Sequence, residues 1–285
     1  MSTAATILDA LTEPFTSPVV ARAAGELALL GVVSGVLGCW VVLWGLSYSA
    51  ESLAHAMLPG LVLAALTGIP LLVGGAAGLL VAALAIALVG RTPVLDHDVA
   101  VAVVISTLLG LGVLLGLSPQ TPAGLGSLLF GDVLGVGPLD LALAAGLVVV
   151  SLGVLGVLHP TLVAVGFDRS SPVAGGRGAA ADLVLTVLLA TATLVAVQAL
   201  GNLLVVATLV GPAATARVVT RRLGPMMAVA TATAIASALA GLYVSYYARV
   251  AAGASVTAAI VLAYLLALLA RGVREAPRPT AEGAR

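Results

Sequence analysis

The sequence predicts an all-α fold, a polytopic bundle of eight or nine transmembrane helices with no soluble domain. Three observations predict it. Apolar residues make up 61% of the 285-residue chain and charged residues only 8%, against about 25% charged in a soluble domain. The mean hydropathy is +1.22. The apolar runs recur along the whole chain at the length of a spanning helix, about 20 residues. Barrel strands would instead alternate apolar and polar residues over about 10 positions, and that pattern is absent.

Residues 1–24 read as an N-terminal interfacial segment. They lack the basic start of a secretory signal, and Asp9, Glu13 and Pro14 interrupt their apolar character. Ile7, Leu8, Leu11 and Phe15 fall on one helical face, which suits either a short interfacial helix or a frayed terminus. The transmembrane region is expected over 25–271. Its apolar runs fall at 25–46, 50–67, 70–90, 98–117, 138–158, 182–200, 203–219, 225–245 and 254–271. The piece from Gly201 to Ala214 is short and contains Gly211-Pro212, so it is either a ninth span or a broken, re-entrant segment. The longest polar interruption, about 159–181, is expected to be cytoplasmic, and 272–285 reads as a flexible tail.

All twelve basic residues are Arg. Without lysine the chain has no P-loop Gly-Lys-Ser/Thr and no Schiff-base chemistry, so it carries no ordinary ATP-binding cassette of its own. Arginine placement also sets orientation. Arg91, then Arg169 and Arg177, then Arg217, Arg221 and Arg222, then Arg271, Arg274 and Arg278 fall at alternate ends of successive runs. All four groups are cytoplasmic together if the last six runs span, which puts the C-terminus inside. The side of the N-terminus follows from whether the count is odd or even, and Arg22 does not settle it. The sole cysteine, Cys39, sits in an apolar run, so no internal disulfide forms.

Within the second run, Glu51 and His55 stand four residues apart and therefore on one helical face. Ionisable groups inside a membrane are costly and point to function. A carboxylate and an imidazole offer one O and one N ligand, half of a Zn2+ site and fewer than Mn2+ or Fe2+ take. A symmetric dimer would complete the set across its axis. Binding needs a neutral imidazole, so affinity is expected to fall in acid. The alternative is an intrahelical Glu–His hydrogen bond. Met57 and Pro59 follow directly and form a candidate gate, because Pro59 removes a backbone hydrogen bond and can kink the helix.

Other polar residues read more plainly. Asp96, His97 and Asp98 precede a run, and an acidic helix cap is preferred there over a metal mouth. His159, before Pro160, marks a membrane boundary. Gln198 and Asn202, one turn apart, read as hydrogen-bond glue between helices. Gly211-Pro212 is a hinge or a packing point. No nucleophile–base constellation and no His-Glu-x-x-His occurs, so an intramembrane enzyme is disfavoured. Nothing points to nucleic acid.

These residues resemble the membrane subunits of zinc/manganese/iron ABC importers, the metal-type permease family. The matching pieces are Glu-Pro-Phe at 13–15, Ala-Arg-Ala-Ala at 21–24 and Ala-Glu-Ser-Leu-Ala-His-Ala-Met-Leu-Pro-Gly at 50–60. Asp-Val-Ala-Val-Ala at 98–102 and Leu-Leu-Phe-Gly-Asp at 128–132 continue the pattern. Gln-Ala-Leu-Gly-Asn-Leu-Leu-Val-Val-Ala at 198–207, Gly-Pro-Ala-Ala-Thr-Ala-Arg at 211–217 and Gly-Leu-Tyr-Val-Ser-Tyr-Tyr at 241–247 complete it, in family order over nearly the whole chain. The resemblance implies a homodimeric or pseudo-dimeric pore in the cell membrane, two cytoplasmic ATP-binding subunits and an extracytoplasmic metal-binding protein. The family usually has Asp-x-x-x-His where this chain has Glu51 and His55; Glu keeps the carboxylate and adds one methylene. The family's coupling segment is similar to Gly166-Phe167-Asp168-Arg169, although the Ser-Ser-Pro and Gly-Gly-Arg-Gly that follow depart from its helical pattern.

The leading expectation is the permease subunit of an ATP-driven importer for a divalent transition metal, zinc or manganese, with no resident cofactor. Two His and two Glu across a dimer suit tetrahedral Zn2+ slightly better than six-coordinate Mn2+. The alternative is a secondary, proton-coupled metal transporter in which Glu51 and His55 carry the proton. A structural membrane subunit that transports nothing is the third class. Phe167, Asp168 and Arg169 are the candidate ATPase-coupling residues.

Overall fold

The computed structural model describes residues 12–89, 97–119, 131–167 and 177–275. The described residues are helical almost throughout and contain no strand. The helices are α1 (Pro18–Leu43), α2 (Ser47–Ala56), α3 (Leu58–Thr67), α4 (Leu71–Val89), α5 (His97–Gly116), α6 (Pro138–Phe167), α7 (Arg177–Val219), α8 (Leu223–Ala248) and α9 (Ala252–Glu275). Short 3-10 turns at Glu13–Thr16 and Val133–Gly135 precede α1 and α6. Six stretches are long and apolar enough to cross a membrane: α1, the α2–α3 pair over Ser47–Thr67, α6, the first limb of α7, α8 and α9. Shorter apolar helices lie in α4, α5 and the second limb of α7.

α1 is the axis of the bundle. In its apolar stretch 67% of residues are buried inside the chain, against 22% for α6 and for α9. It packs on α6, α7 and α8, and its Leu27, Leu30, Val33, Leu37 and Val41 are all buried. Cys39 is sealed among Ala213, Ala216, Met226 and Ala230 of α7 and α8. The outer helices show Val149, Val157 and Leu269 on their surfaces, 65–80% exposed. A bilayer accepts such a surface, since lipid tails are as apolar as leucine. Without a hydrophobic drive between helices, close packing of small residues holds them together. A Cβ on Gly35 would fall on the Thr231 backbone of α8, and one on Gly60 or Gly74 would fall on the other's carbonyl, locking α3 to α4.

α7 reverses direction. Gly178 at its start packs beside Val165 of α6, while Arg217 near its end shares a cavity with Gly166 of the same helix. A straight helix of 43 residues would hold its ends about 65 Å apart. The reversal falls at Gly201, whose φ of 75° and ψ of 164° belong to a region open essentially to glycine alone. The break thus falls at the first residue of the Gly201–Ala214 piece, and of the two readings of Gly211-Pro212, hinge or packing point, the packing point holds. Gly211 and Pro212 stay helical, and Gly211 instead lets Ile260 of α9 approach closely. α6 likewise continues past His159 and through Pro160 to Phe167, a full two turns beyond the expected boundary.

With α7 folded back, the described chain makes nine helical passes, counting α2–α3 as one. The ends of α1, α6, α7 and α9 gather at one face, where Arg217, Arg221, Arg222, Arg271 and Arg274 line two cavities. The positive-inside rule makes this face cytoplasmic. At the opposite face the start of α1 meets the end of α8: Phe15 packs edge-on against Tyr243 at 5.5 Å, and the Tyr247 hydroxyl donates to Glu13 Oε2 at 3.4 Å. α1 thus begins on the outer side, which the arginines alone left open. Arg249, the lone basic residue of the outer loops, ends α8 with a φ of 54°.

Candidate metal centre

Two of its sides fix α2 in place. Ala50, Ser52, Ala54 and Ala56 are buried against α5 and α7. Small side chains on that side bring the helix close to its neighbours. The remaining side carries Tyr48, Glu51 and His55. The Glu51 side chain is 57% exposed and that of His55 18%. His55 Nε2 lies 3.8 Å from Glu51 Oε1, too far for a hydrogen bond. His55 Nδ1 is buried and has no partner. The two side chains thus stand side by side with their donor atoms unspent, and the intrahelical bond that would have occupied them is not made.

Met57 joins α2 to α3 and is fully buried, as is Leu58. Pro59 cannot supply the N–H that would normally reach the His55 carbonyl, and that carbonyl takes the Met57 N–H instead. The backbone therefore loosens one turn after the pair. Around the junction, packing is tight: a Cβ on Gly78 of α4 would sit 3.0 Å from Met57 Cα, and one on Gly112 of α5 would sit 2.9 Å from the Pro59 nitrogen. Among the described residues no group of three His, Cys, Asp or Glu gathers that could hold a metal ion. This face carries, among the described residues, Glu51 and His55 as strong ligands and no third.

A model of the ABC 3 transport family matches residues 16–271. The chain belongs to that family. It is 30% identical over 205 residues to the manganese import system permease protein ScaB of Streptococcus gordonii, covering 72% of this chain and 74% of that protein. It is 30% identical over 227 residues to the chelated iron transport system membrane protein YfeC of Yersinia pestis, covering 79% and 77%. The solved structure of PsaBC from Streptococcus pneumoniae in complex with Fab matches with a TM-score of 0.82 at 26% identity, over 92% of this chain and 95% of that chain.

Within this ABC 3 chain the other sequence-derived candidates are distributed as follows. Phe167 is the last residue of α6, and Asp168 and Arg169 fall outside the described residues. His97 opens α5, and Asp96 lies outside the described residues. His159 packs edge-on against Trp40 at 5.6 Å. Gln198 gives its backbone carbonyl to the Asp132 N–H at 3.4 Å, close to the Gly201 reversal. Asn202 is fully buried with neither amide atom bonded, so the expected interhelical glue is not formed there.

Sequence reasoning passed over Glu26. It lies in α1, is 1% exposed, and its Oε2 has no partner. Its signal was present as the only acid between Glu13 and Glu51, in the apolar run that proves to be the centre of the bundle.

Proposed function

We propose that this chain is the membrane-spanning permease subunit of an ATP-driven importer for divalent transition-metal ions, with manganese the leading cargo and iron the next. The observation that carries this reading is the Glu51–His55 pair, unspent on each other, on the side of α2 where Glu51 is exposed among the described residues. A carboxylate more than half exposed in an apolar stretch cannot rest against lipid without large cost. Its face has to look onto a polar path or a second protein chain. A second copy of the permease, related by a two-fold axis, supplies another Glu51 and another His55 and brings the ligands to four.

The chemistry of cargo handling follows from those two groups. Glu51 supplies charge to replace part of the ion's hydration shell, and neutral His55 adds a nitrogen donor. Protons compete with the metal for both, so binding weakens in acid. The backbone interruption at Met57–Pro59 gives the liganded turn a place to move relative to α3. The zinc geometry weighed from sequence gives way to manganese because the related permeases are named for manganese and for chelated iron. With no lysine for a P-loop, energy comes from a separate cytoplasmic ATP-binding subunit. Docking is assigned to the segment about 163–178 with Phe167, Asp168 and Arg169, and delivery to an extracytoplasmic metal-binding protein.

Reconstitution in proteoliposomes with and without the ATP-binding subunit tests the reading. Manganese flux should require both the subunit and ATP hydrolysis. Flux driven by a proton gradient in the permease alone would replace this reading with the secondary transporter.

A further inference from the structure

We propose that the cavity at the cytoplasmic end of the bundle binds the phosphate headgroup of an acidic phospholipid from the inner leaflet. The cavity has a volume of about 670 Å³ and lies where the ends of α1, α6 and α7 meet the start of α8. Arg217, Arg221 and Arg222 line it, and no acidic residue does. Among the described residues none of these three guanidinium groups has a carboxylate partner. Arg222 is also the N-cap of α8, with no side chain capping that terminus, so the positive end of a 26-residue helix adds to the same field.

A second observation points to an acceptor. Trp40 lines the cavity, is 2% exposed, and its indole Nε1 has no partner. An indole N–H can only donate. A phosphate oxygen held by the arginines supplies what it lacks, since guanidinium groups match phosphate geometry. Apart from His159, which packs against Trp40, the remaining wall is largely apolar, with Leu43, Leu162, Val163, Leu223 and Met226. A free inorganic anion would leave that wall wet. A phospholipid uses both halves, with phosphate on the arginines and glycerol and upper acyl carbons on the apolar side. The position fits: tryptophans concentrate at the headgroup level, and basic pockets between transmembrane helices on the cytoplasmic side take lipid headgroups. An adjoining groove shares Arg217 and Arg221 and adds Arg274, extending the positive field along the membrane plane.

The test uses the full permease with its ATP-binding subunit in nanodiscs of phosphatidylcholine with phosphatidylglycerol. Retained lipid is counted by native mass spectrometry. Phosphatidylglycerol should be retained at least tenfold over phosphatidylcholine. The combined Arg217→Gln, Arg221→Gln and Arg222→Gln variant should fall to the phosphatidylcholine level, while the three Lys counterparts keep most of the preference. Trp40→Phe, with all charges intact, should lower retention several-fold; it decides the matter if the triple Gln variant does not assemble. Equal retention of the two lipids by the wild type would overturn the proposal. So would undiminished phosphatidylglycerol in the variants, or millimolar inorganic phosphate bound without any lipid preference. Loss of the ATP-binding subunit from the Gln variant with its lipid still bound would also overturn it and make the arginines a protein-docking surface.

Discussion

Glu51 and His55 owe their assignment to a spacing that any reader of the sequence can find, and the structure adds that their donor atoms are not used up on each other. That distinction sets the expected phenotype. Glu51→Gln removes the charge with little change of volume, and His55→Ala removes the nitrogen. Each is expected to weaken metal binding by about 100-fold or more, given that losing even an outer-shell partner costs about 10–100-fold. The protein should still insert and assemble. Isothermal titration of the purified complex and metal-dependent growth read the two effects, and normal uptake in both variants at normal expression would end the assignment. The pair was legible because helical periodicity alone places i and i+4 together. Glu26 was not, because a single acid in an apolar run carries no spacing to interpret; only the placement of α1 at the centre buries it.

At the scale of the element, the apolar runs translated into helical passes, since the cost of an unsatisfied backbone in hydrocarbon leaves few alternatives. The breaks translated less well. Pro160 and Pro212 both sit inside continuous helices, and the reversal falls at Gly201, the first residue of the piece read from sequence as either a span or a broken segment; nothing in the sequence separates its backbone angles from those of the other 32 glycines. Positive φ there makes a simple prediction. Gly201→Ala is expected to destabilise the fold by about 1–3 kcal/mol, seen as a lower thermal midpoint in detergent. Gly110→Ala, in open space on α5, is expected to be neutral or to stabilise by up to about 1 kcal/mol. Equal midpoints for the two would refute the reversal as a glycine-dependent element. The end of α6 gives a second prediction. Phe167 closes that helix on the cytoplasmic side, where an aromatic anchor suits a partner pocket. Phe167→Ala is expected to reduce co-purification of the ATP-binding subunit and ATP-dependent flux, with metal affinity unchanged. Intact association and flux would remove Phe167 from the interface.

For the whole molecule, the proposal of Glu51 and His55 as ligands in a two-fold permease pair sets an expected stoichiometry. The assembled complex is expected to bind one tightly held ion per two permease chains, with nitrogen and oxygen neighbours from both copies in X-ray absorption spectra. One ion per chain with a complete shell from that chain would dismantle the shared site. The cytoplasmic cavity, in contrast, was invisible to sequence reading, because its arginines and tryptophans lie some 175 positions apart along the chain and meet only through packing. The same long-range architecture governs how the protein is made. α1 is synthesised before the helices that cover it, and most of that cover comes from α7 and α8, with α6 adding a smaller share. Until then Ser34 and the flank with Gly31, Gly35 and Gly38 have no native partner within the bilayer. Biogenesis is therefore gated by the last third of the chain: a nascent chain cut before α8 holds an orphaned first helix, and its clearance by membrane quality control, rather than any loss of cargo chemistry, is the fate to expect of C-terminal truncations.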